Sequence, residues 1–266
     1  MRRPAGEGDF PWWLVLTLGI GAVLGWQIAT SGLYREIFAI VARGAGITVF
    51  VTAVAFALAV LLGLLVAMAA LSRFAVLRQA ARFYVEVIRG VPMLVLLFYV
   101  AFVAAPGLVW LVNLVLTWPR EAGLVGELQV RDVSLLWRAI IALTIGYSAF
   151  IAEVFRAGIL AVDPGQIEAA KALGLSPWQR FRLIVLPQAI RVILPPLGND
   201  FVAMVKDSSL VSVLGVADIT QMGKVYAAGS FRFFETYNVV AYTYLAMVIA
   251  LSLALRALER RLGRGR

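Results

Sequence analysis

The sequence predicts an all-α, polytopic membrane protein with about six transmembrane helices, and three observations carry that prediction. Of 266 residues, 62% are hydrophobic and only 15% charged, with a mean hydropathy of +0.91; this leaves too little polar surface to coat a water-soluble globule. Apolar runs recur at lengths that cross a ~30 Å hydrocarbon layer at ~1.5 Å per residue. Lys and Arg flank those runs, mostly on one side.

The first run, 11–30, opens with Trp12 and Trp13, which suit an interfacial belt. Met1-Arg2-Arg3 ahead of it also fits a cleavable signal peptide, but the run exceeds a usual signal core, so a retained span is expected. Gly21 and Gly25 form a GxxxG, a weak hint of helix packing between copies. Further runs cover 46–71, 91–117 with an interruption at Pro106-Gly107, 138–162 and 239–258. The stretch 183–217 is broken by Pro187, Arg191, Pro195, Pro196, Asp200, Lys206 and Asp207, and reads as an interfacial helix followed by a sixth, polar-rich span from near Pro195.

Six spans place both termini on one side. With the N-terminus inside, Arg35, Arg43, Arg120, Arg131, Arg138, Lys206, Lys224 and Arg232 lie outside, and the other 16 of the 24 basic residues lie inside. That is the direction of the positive-inside rule, so the net charge of +9 records topology and not an affinity for nucleic acid. Cysteine and histidine are absent, which excludes disulfides, thiolate or imidazole metal sites and triads built on His.

The inside segment 163–187 is the informative one. Asp163, Pro164 and Gln166 read as N-cap, first helical residue and capping-box partner, and Ser176, Pro177 and Gln179 repeat that pattern. Gly174 stands where a left-handed residue would end a helix over 166–173. Trp178, Phe181, Ile184 and Val185 then make an apolar stripe beside Arg180 and Arg182. Such a helix pair also suits an ordinary amphipathic interfacial element.

The residue pattern is more specific. Glu168-Ala169-Ala170, Gly174, Ile184 and Leu186-Pro187, with their spacing, resemble the EAA loop of the membrane subunits of bacterial ATP-binding cassette (ABC) importers, in particular the polar amino acid (histidine, glutamine and arginine type) permease family. The segment Tyr84 to Pro92 resembles the family's YxExxRGTP, with Val91 in place of Thr. Ser148 to Ile159 resembles the family's xAYxAExxRxGI, with Phe150 in place of Tyr and with Gly146-Tyr147 ahead of it where Asn-Ser is usual. Gly198-Asn199-Asp200-Phe201 and Lys206-Asp207-Ser208-Ser209-Leu210 resemble G-N-x-F and K-[DE]-[ST]-[SA]-L. Arg232-Phe233-Phe234-Glu235 and Leu258 to Leu262 also fit.

The resemblance implies a MetI-like permease core of five spans over 44–262 that contains the coupling loop 163–187. It also implies an extra N-terminal helix and outer connection over 1–43 and a basic tail over 263–266. It further implies a bacterial cytoplasmic (inner) membrane location with both termini cytoplasmic, and a subunit that moves a polar amino acid without being an enzyme itself. The implied partners are a dimer of nucleotide-binding ATPase subunits carrying ATP and Mg, a second permease subunit in a homo- or heterodimer, and an extracytoplasmic solute-binding protein, with membrane lipid around them. No cofactor is expected on this chain. No phosphate-binding GxxxxGK[ST] occurs, since Gly223-Lys224 lacks the upstream glycine and is followed by Val225.

Docking of the ATPase subunit is expected on Glu168, Ala169, Ala170, Leu173, Gly174, Leu175 and Trp178. For the substrate path, intramembrane charge is the guide. Counted from Pro195, Lys206 and Asp207 fall near the bilayer midplane, where an amino acid zwitterion would engage them; counted from Pro187, they fall at the outer interface. Ser148, Ser208 and Ser209 are hydroxyl candidates. Thr48 and Thr52 are two more, although hydroxyls also bond their own helix. Glu153 and Arg156, three apart, fit a local ion pair. Three other classes compete: a carboxylate enzyme using Glu121, Glu127 and Asp132, a secondary carrier, and an importer of metal, phosphate or sugar.

Overall fold

The computed structural model describes residues 12–121 and 124–263. Met1-Arg2-Arg3 and the last three residues of the tail lie outside them. In chain order the helices are α1 Trp12–Thr30, α2 Gly32–Arg43, α3 Ala45–Ala70, α4 Ala75–Gly90, α5 Met93–Tyr99, α6 Ala105–Val115, α7 Thr117–Glu121, α8 Leu135–Leu160, α9 Pro164–Ala172, α10 Pro177–Arg180, α11 Leu186–Asp207, α12 Ile219–Ser230 and α13 Phe233–Gly263. Five helical stretches among the described residues are long and apolar enough to cross a membrane, with the shorter apolar Val15–Thr30 beside them. That matches the expected architecture.

The centre of the bundle is the pairing of α3 with α8. On α3 the residues Ala55, Ala59, Gly63 and Ala67 recur every fourth position and are buried. This small-xxx-small stripe lets two backbones approach closely in a medium where burial between helices gains nothing over burial in lipid. A side chain at Gly63 would meet Ile151 at 2.8 Å and the Ser148 carbonyl at 3.0 Å. The two helices run in parallel: Phe50 lies against Trp137 at one end, and Ala67 clusters with Ala152 towards the other. Beside this seam α4 and α11 pack on both helices, and α5 packs on α8.

Three features differ from the sequence expectation. The 183–217 stretch does not break at Pro195. Helix runs from Pro177 through a π-turn, Phe181–Val185, into α11, with Pro195 and Pro196 inside it, and a 3-10 turn, Ser208–Leu214, follows. The Pro106-Gly107 interruption is likewise a π-turn, Val100–Ala104, between α5 and α6. In both places the residue before a proline reaches back five positions, Ala105 N–H to Val100 O and Leu186 N–H to Phe181 O. The widened turn makes room for a ring that has no N–H to offer the helix. Third, α2 and α4 are separate helices that were not foreseen. Ile37 and Val41 of α2 are buried in a second cluster with Ile219, Val239 and Val240 of α12 and α13.

That second cluster is closed by Asp218, a fully buried residue that caps α12 by accepting from the Gln221 N–H at 2.8 Å and from the Tyr244 hydroxyl at 2.9 Å. Burial pushes its carboxyl above the ordinary range, and these hydrogen bonds pull it back. A side chain added at Gly25 would meet the Tyr242 hydroxyl at 3.2 Å, so Gly25 packs α1 on α13, whereas Gly21 has no such neighbour among the described residues.

Gly158 marks the crossing of α8 and α11, where an added Cβ would collide with Ile193. Gly158→Ala is expected to lower stability by about 1–3 kcal/mol through overpacking. Gly90→Ala, with nothing within reach of the new methyl, should not. Thermal unfolding of the two variants in detergent checks this.

Candidate functional site

Two places on the molecule carry chemistry, and α11 with its leading turn connects them. The first is the turn between α9 and α10. Asp163 caps α9, accepting from the Gly165 N–H at 2.7 Å; the expected box does not close, because the Gln166 side chain instead accepts from Gln188 at 2.7 Å and ties α9 to α11. Ser176 and Gln179 do form a reciprocal box. Gly174 has φ +75°, and the Leu175 N–H to Ala170 O and Gly174 N–H to Lys171 O bonds make a Schellman ending. Glu168, Ala169, Leu173 and Trp178 are exposed, Leu173 at 80% and Trp178 at 66%. Leu175 is half-buried, and Ala170 is buried against its own chain. An exposed leucine and tryptophan on a capped, rigid turn form an apolar knob with an acid beside it.

The second place is a cavity of about 260 Å³. Ile88 and Val91 at the end of α4, Met93 and Leu96 on α5, Gly146, Tyr147 and Phe150 on α8, and Asp200, Ala203 and Asp207 on α11 line it. Tyr147 lies near the middle of α8, and its hydroxyl donates to Asp207 Oδ2 at 2.8 Å. That sets Asp207 level with the centre of the bundle even though its helix begins far earlier than Pro195. Asp200, two helical turns before Asp207 on the same face, keeps a buried Oδ2 with no hydrogen-bond partner among the described residues. The Arg89 guanidinium lies 5.4 Å from the ring centroid of Phe150, at the cavity margin.

Of the expected path residues, the structure brings only Asp207 to this cavity. Lys206, about 100° round the helix from Asp207, is exposed and does not line the cavity. Ser148 is buried, hydrogen-bonded to Tyr84 at 2.7 Å and to the Ile145 carbonyl. Ser208 donates to Val205 O, and the Ser209 carbonyl accepts from Ser212. Thr52 donates to Thr48 O, while Thr48 accepts the Ile219 N–H and so joins α3 to α12. Arg156 grips Glu153, Nη2 to Oε2 at 2.6 Å. Sequence reading missed Tyr147, Phe150 and Asp200; the seven-residue spacing of Asp200 and Asp207 was the available signal. The loop acids are engaged locally, Glu127 with Arg120 and Asp132 with the Gln129 N–H. Gly223 is a packing glycine against Val240.

A family model described as "Binding-protein-dependent transport system inner membrane component" matches residues 59–265. The chain belongs to this family. It is 35% identical to a probable amino-acid permease of Bacillus subtilis, YxeN, over 80% of this chain and 87% of that one. It is 33% identical to the glutamine transport system permease protein GlnP of Escherichia coli, over 83% and 91%, and 36% identical to the nopaline transport system permease protein NocQ of Agrobacterium fabrum, over 79% and 85%. A solved amino acid ABC transporter superposes with a TM-score of 0.69 at 35% identity, covering 86% of this chain and 95% of that one. The chain is thus a permease of the amino-acid ABC importer type. Its departures from the family pattern, Val91, Gly146, Tyr147 and Phe150, all lie in the cavity wall. At Gly146 a side chain would strike Met93.

Tyr147→Phe removes the hydrogen bond from the Tyr147 hydroxyl to Asp207 inside the permease cavity. The loss of a bond to a charged group is expected to cost about 1–2 kcal/mol, read as a fall in the thermal unfolding midpoint of the purified permease.

Proposed function

We propose that this permease imports a polar amino acid across the bacterial cytoplasmic membrane, holding it in transit in the cavity between α5, α8 and α11. The work comes from ATP hydrolysed on a separate subunit docked at the α9–α10 turn. The observation that carries this reading is the unbroken helix from Pro177 to Asp207, which joins the exposed turn to the acids of the cavity. At ~1.5 Å per residue it spans roughly 45 Å, so Trp178 of the exposed turn and the cavity acids Asp200 and Asp207 lie on one continuous helical segment. The turn then faces the cytoplasm, in keeping with the inside excess of Arg and Lys, and both termini lie on that side. Two permeases, two ATPase subunits and an extracytoplasmic binding protein complete the transporter.

The turn supplies what a docking site needs. Glu168 offers a charge, Leu173 and Trp178 offer apolar area, and Ala169 allows close approach. Ala170 acts indirectly, through the Schellman ending that fixes the turn. Glu168→Lys reverses the charge, and Gly174→Val puts a β-branched residue at a φ that costs about 1–2 kcal/mol for an L side chain. Either variant is expected to insert and accumulate normally. Each should nevertheless lower ATP-driven amino acid uptake in proteoliposomes by about tenfold or more, the equivalent of ~1.4 kcal/mol of docking energy. Uptake at the unaltered rate in both variants would remove the turn from the coupling path.

A further inference from the structure

On the reading that the cavity holds the transported amino acid, its charge specifies which amino acids fit. Asp200 and Asp207 both face it, and apart from the Tyr147 phenol the other side chains lining it are apolar. Two carboxylates confined in such a space repel each other and have given up hydration. The compensation available within the chain is partial. Tyr147 donates to Asp207, whereas the buried Oδ2 of Asp200 has no partner among the described residues. Arg89 stands at the margin, against Phe150. Lys206 is exposed and does not line the cavity, and Arg156 is committed to Glu153.

Two negative groups with one positive group at the margin leave the site one positive charge short. An amide side chain on a zwitterion brings no net charge and leaves the deficit. An acidic side chain deepens it. A cationic side chain cancels it, its α-carboxylate meeting Arg89 while its two cations meet the two acids. The two acids rise ~10 Å apart along α11, which suits an amino acid lying lengthwise, and a space of about 260 Å³ falls below the ~300 Å³ at which pockets for drug-sized ligands begin.

We infer that the permease selects amino acids with a cationic side chain, of the lysine, ornithine or arginine type, and that Asp200 is the specificity-determining residue. Asp207, already held by Tyr147, takes the α-ammonium. Asp200 takes the side-chain cation on its unmet oxygen. A cation adds Coulomb attraction to the hydrogen bond that a glutamine amide could also offer the unmet oxygen, and glutamate adds repulsion, so Asp200 discriminates by charge where Asp207, facing the group common to all amino acids, does not.

The test is isothermal titration of the purified permease–ATPase complex in detergent, without the binding protein, using lysine, arginine, glutamine and glutamate as probes. Wild type should bind lysine or arginine at least about tenfold more tightly than glutamine, with glutamate weakest, as the loss of one charge-assisted hydrogen bond dictates. Asp200→Asn should abolish most of that preference with little change for glutamine. Asp200→Glu should keep it, and Lys206→Gln, outside the cavity, should leave every affinity unchanged. Glutamine or glutamate binding as tightly as lysine and arginine to wild type overturns the inference, as does an Asp200→Asn loss equal for all four probes. Should Asp200→Asn fail to assemble, the wild-type ranking decides alone. ATP-driven uptake by the whole transporter separates the two readings. Uptake of glutamine but of neither cation defeats charge selection and leaves amino acid import standing, whereas uptake of no amino acid defeats import itself.

Discussion

Everything in this bundle is referred to the close approach of α3 and α8. Ala55, Ala59, Gly63 and Ala67 present almost no side chain to Ile151 and its neighbours, so the pair gains its stability from van der Waals contact over a long line. This leaves α8 fixed on one face and free to serve as a platform on the others. α4 and α5 lean on it through Tyr84 against Ser148 and Met93 against Gly146, and α11 crosses it at Gly158 and Ile193. Around those contacts the helices leave a cavity that α8 lines with Gly146, Tyr147 and Phe150. Glycine therefore appears in two roles on one helix. At Gly158 it closes a gap, and at Gly146 it admits the methionine that forms a wall.

The second constraint is that backbone polar groups in an apolar medium must find partners within the protein. Proline threatens this, because it removes a donor and crowds the preceding turn. The chain meets the problem at Pro106 and Pro187 by widening the turn ahead of each ring to a π-turn. The helix that leaves the α9–α10 turn can then run on to Asp207. A flexible break at Pro195 would have isolated the cavity acids from the exposed turn. An unbroken helix makes their positions interdependent.

The architecture was legible because its signals are long and redundant: span length, basic flanks and, at the turn, caps whose chemistry is local. Ser176 with Gln179 and the left-handed Gly174 were readable for that reason. Sequence reading failed where tertiary packing decides. Gln166 fits a capping box by spacing, yet Gln188 on α11 takes its side chain, and no local rule reports a partner from another helix. Pro195 and Pro196 read as a break because their cost is local while the packing that outweighs it is not. Lys206 and Asp207 looked like one functional pair, but neighbours on a helix diverge by ~100°, and only the second faces inward. Asp200 was passed over as one more interruption, although its seven-residue spacing to Asp207 puts both acids on the same face.

The fate of the polar side chains separates scaffold from site. Thr52, Ser148, Ser208 and Ser212 return their hydroxyls to carbonyls of their own segment. Arg156 closes on Glu153, and the buried Arg138 spreads its guanidinium over the carbonyls of Ala101, Val130 and Val133. Each is a polar group whose cost in the bilayer is cancelled inside the chain, and such a group holds the fold without needing a ligand. Among the described residues three buried side-chain oxygens lack a partner, Gln221 Oε1, Thr236 Oγ1 and Asp200 Oδ2, and of these only the Asp200 carboxylate lies in the wall of the cavity that also gathers Asp207 and Tyr147. A scaffold gains nothing from an uncompensated acid. A donor or a cation that enters the cavity would supply that compensation, and this is the physical basis of the charge selection proposed for it.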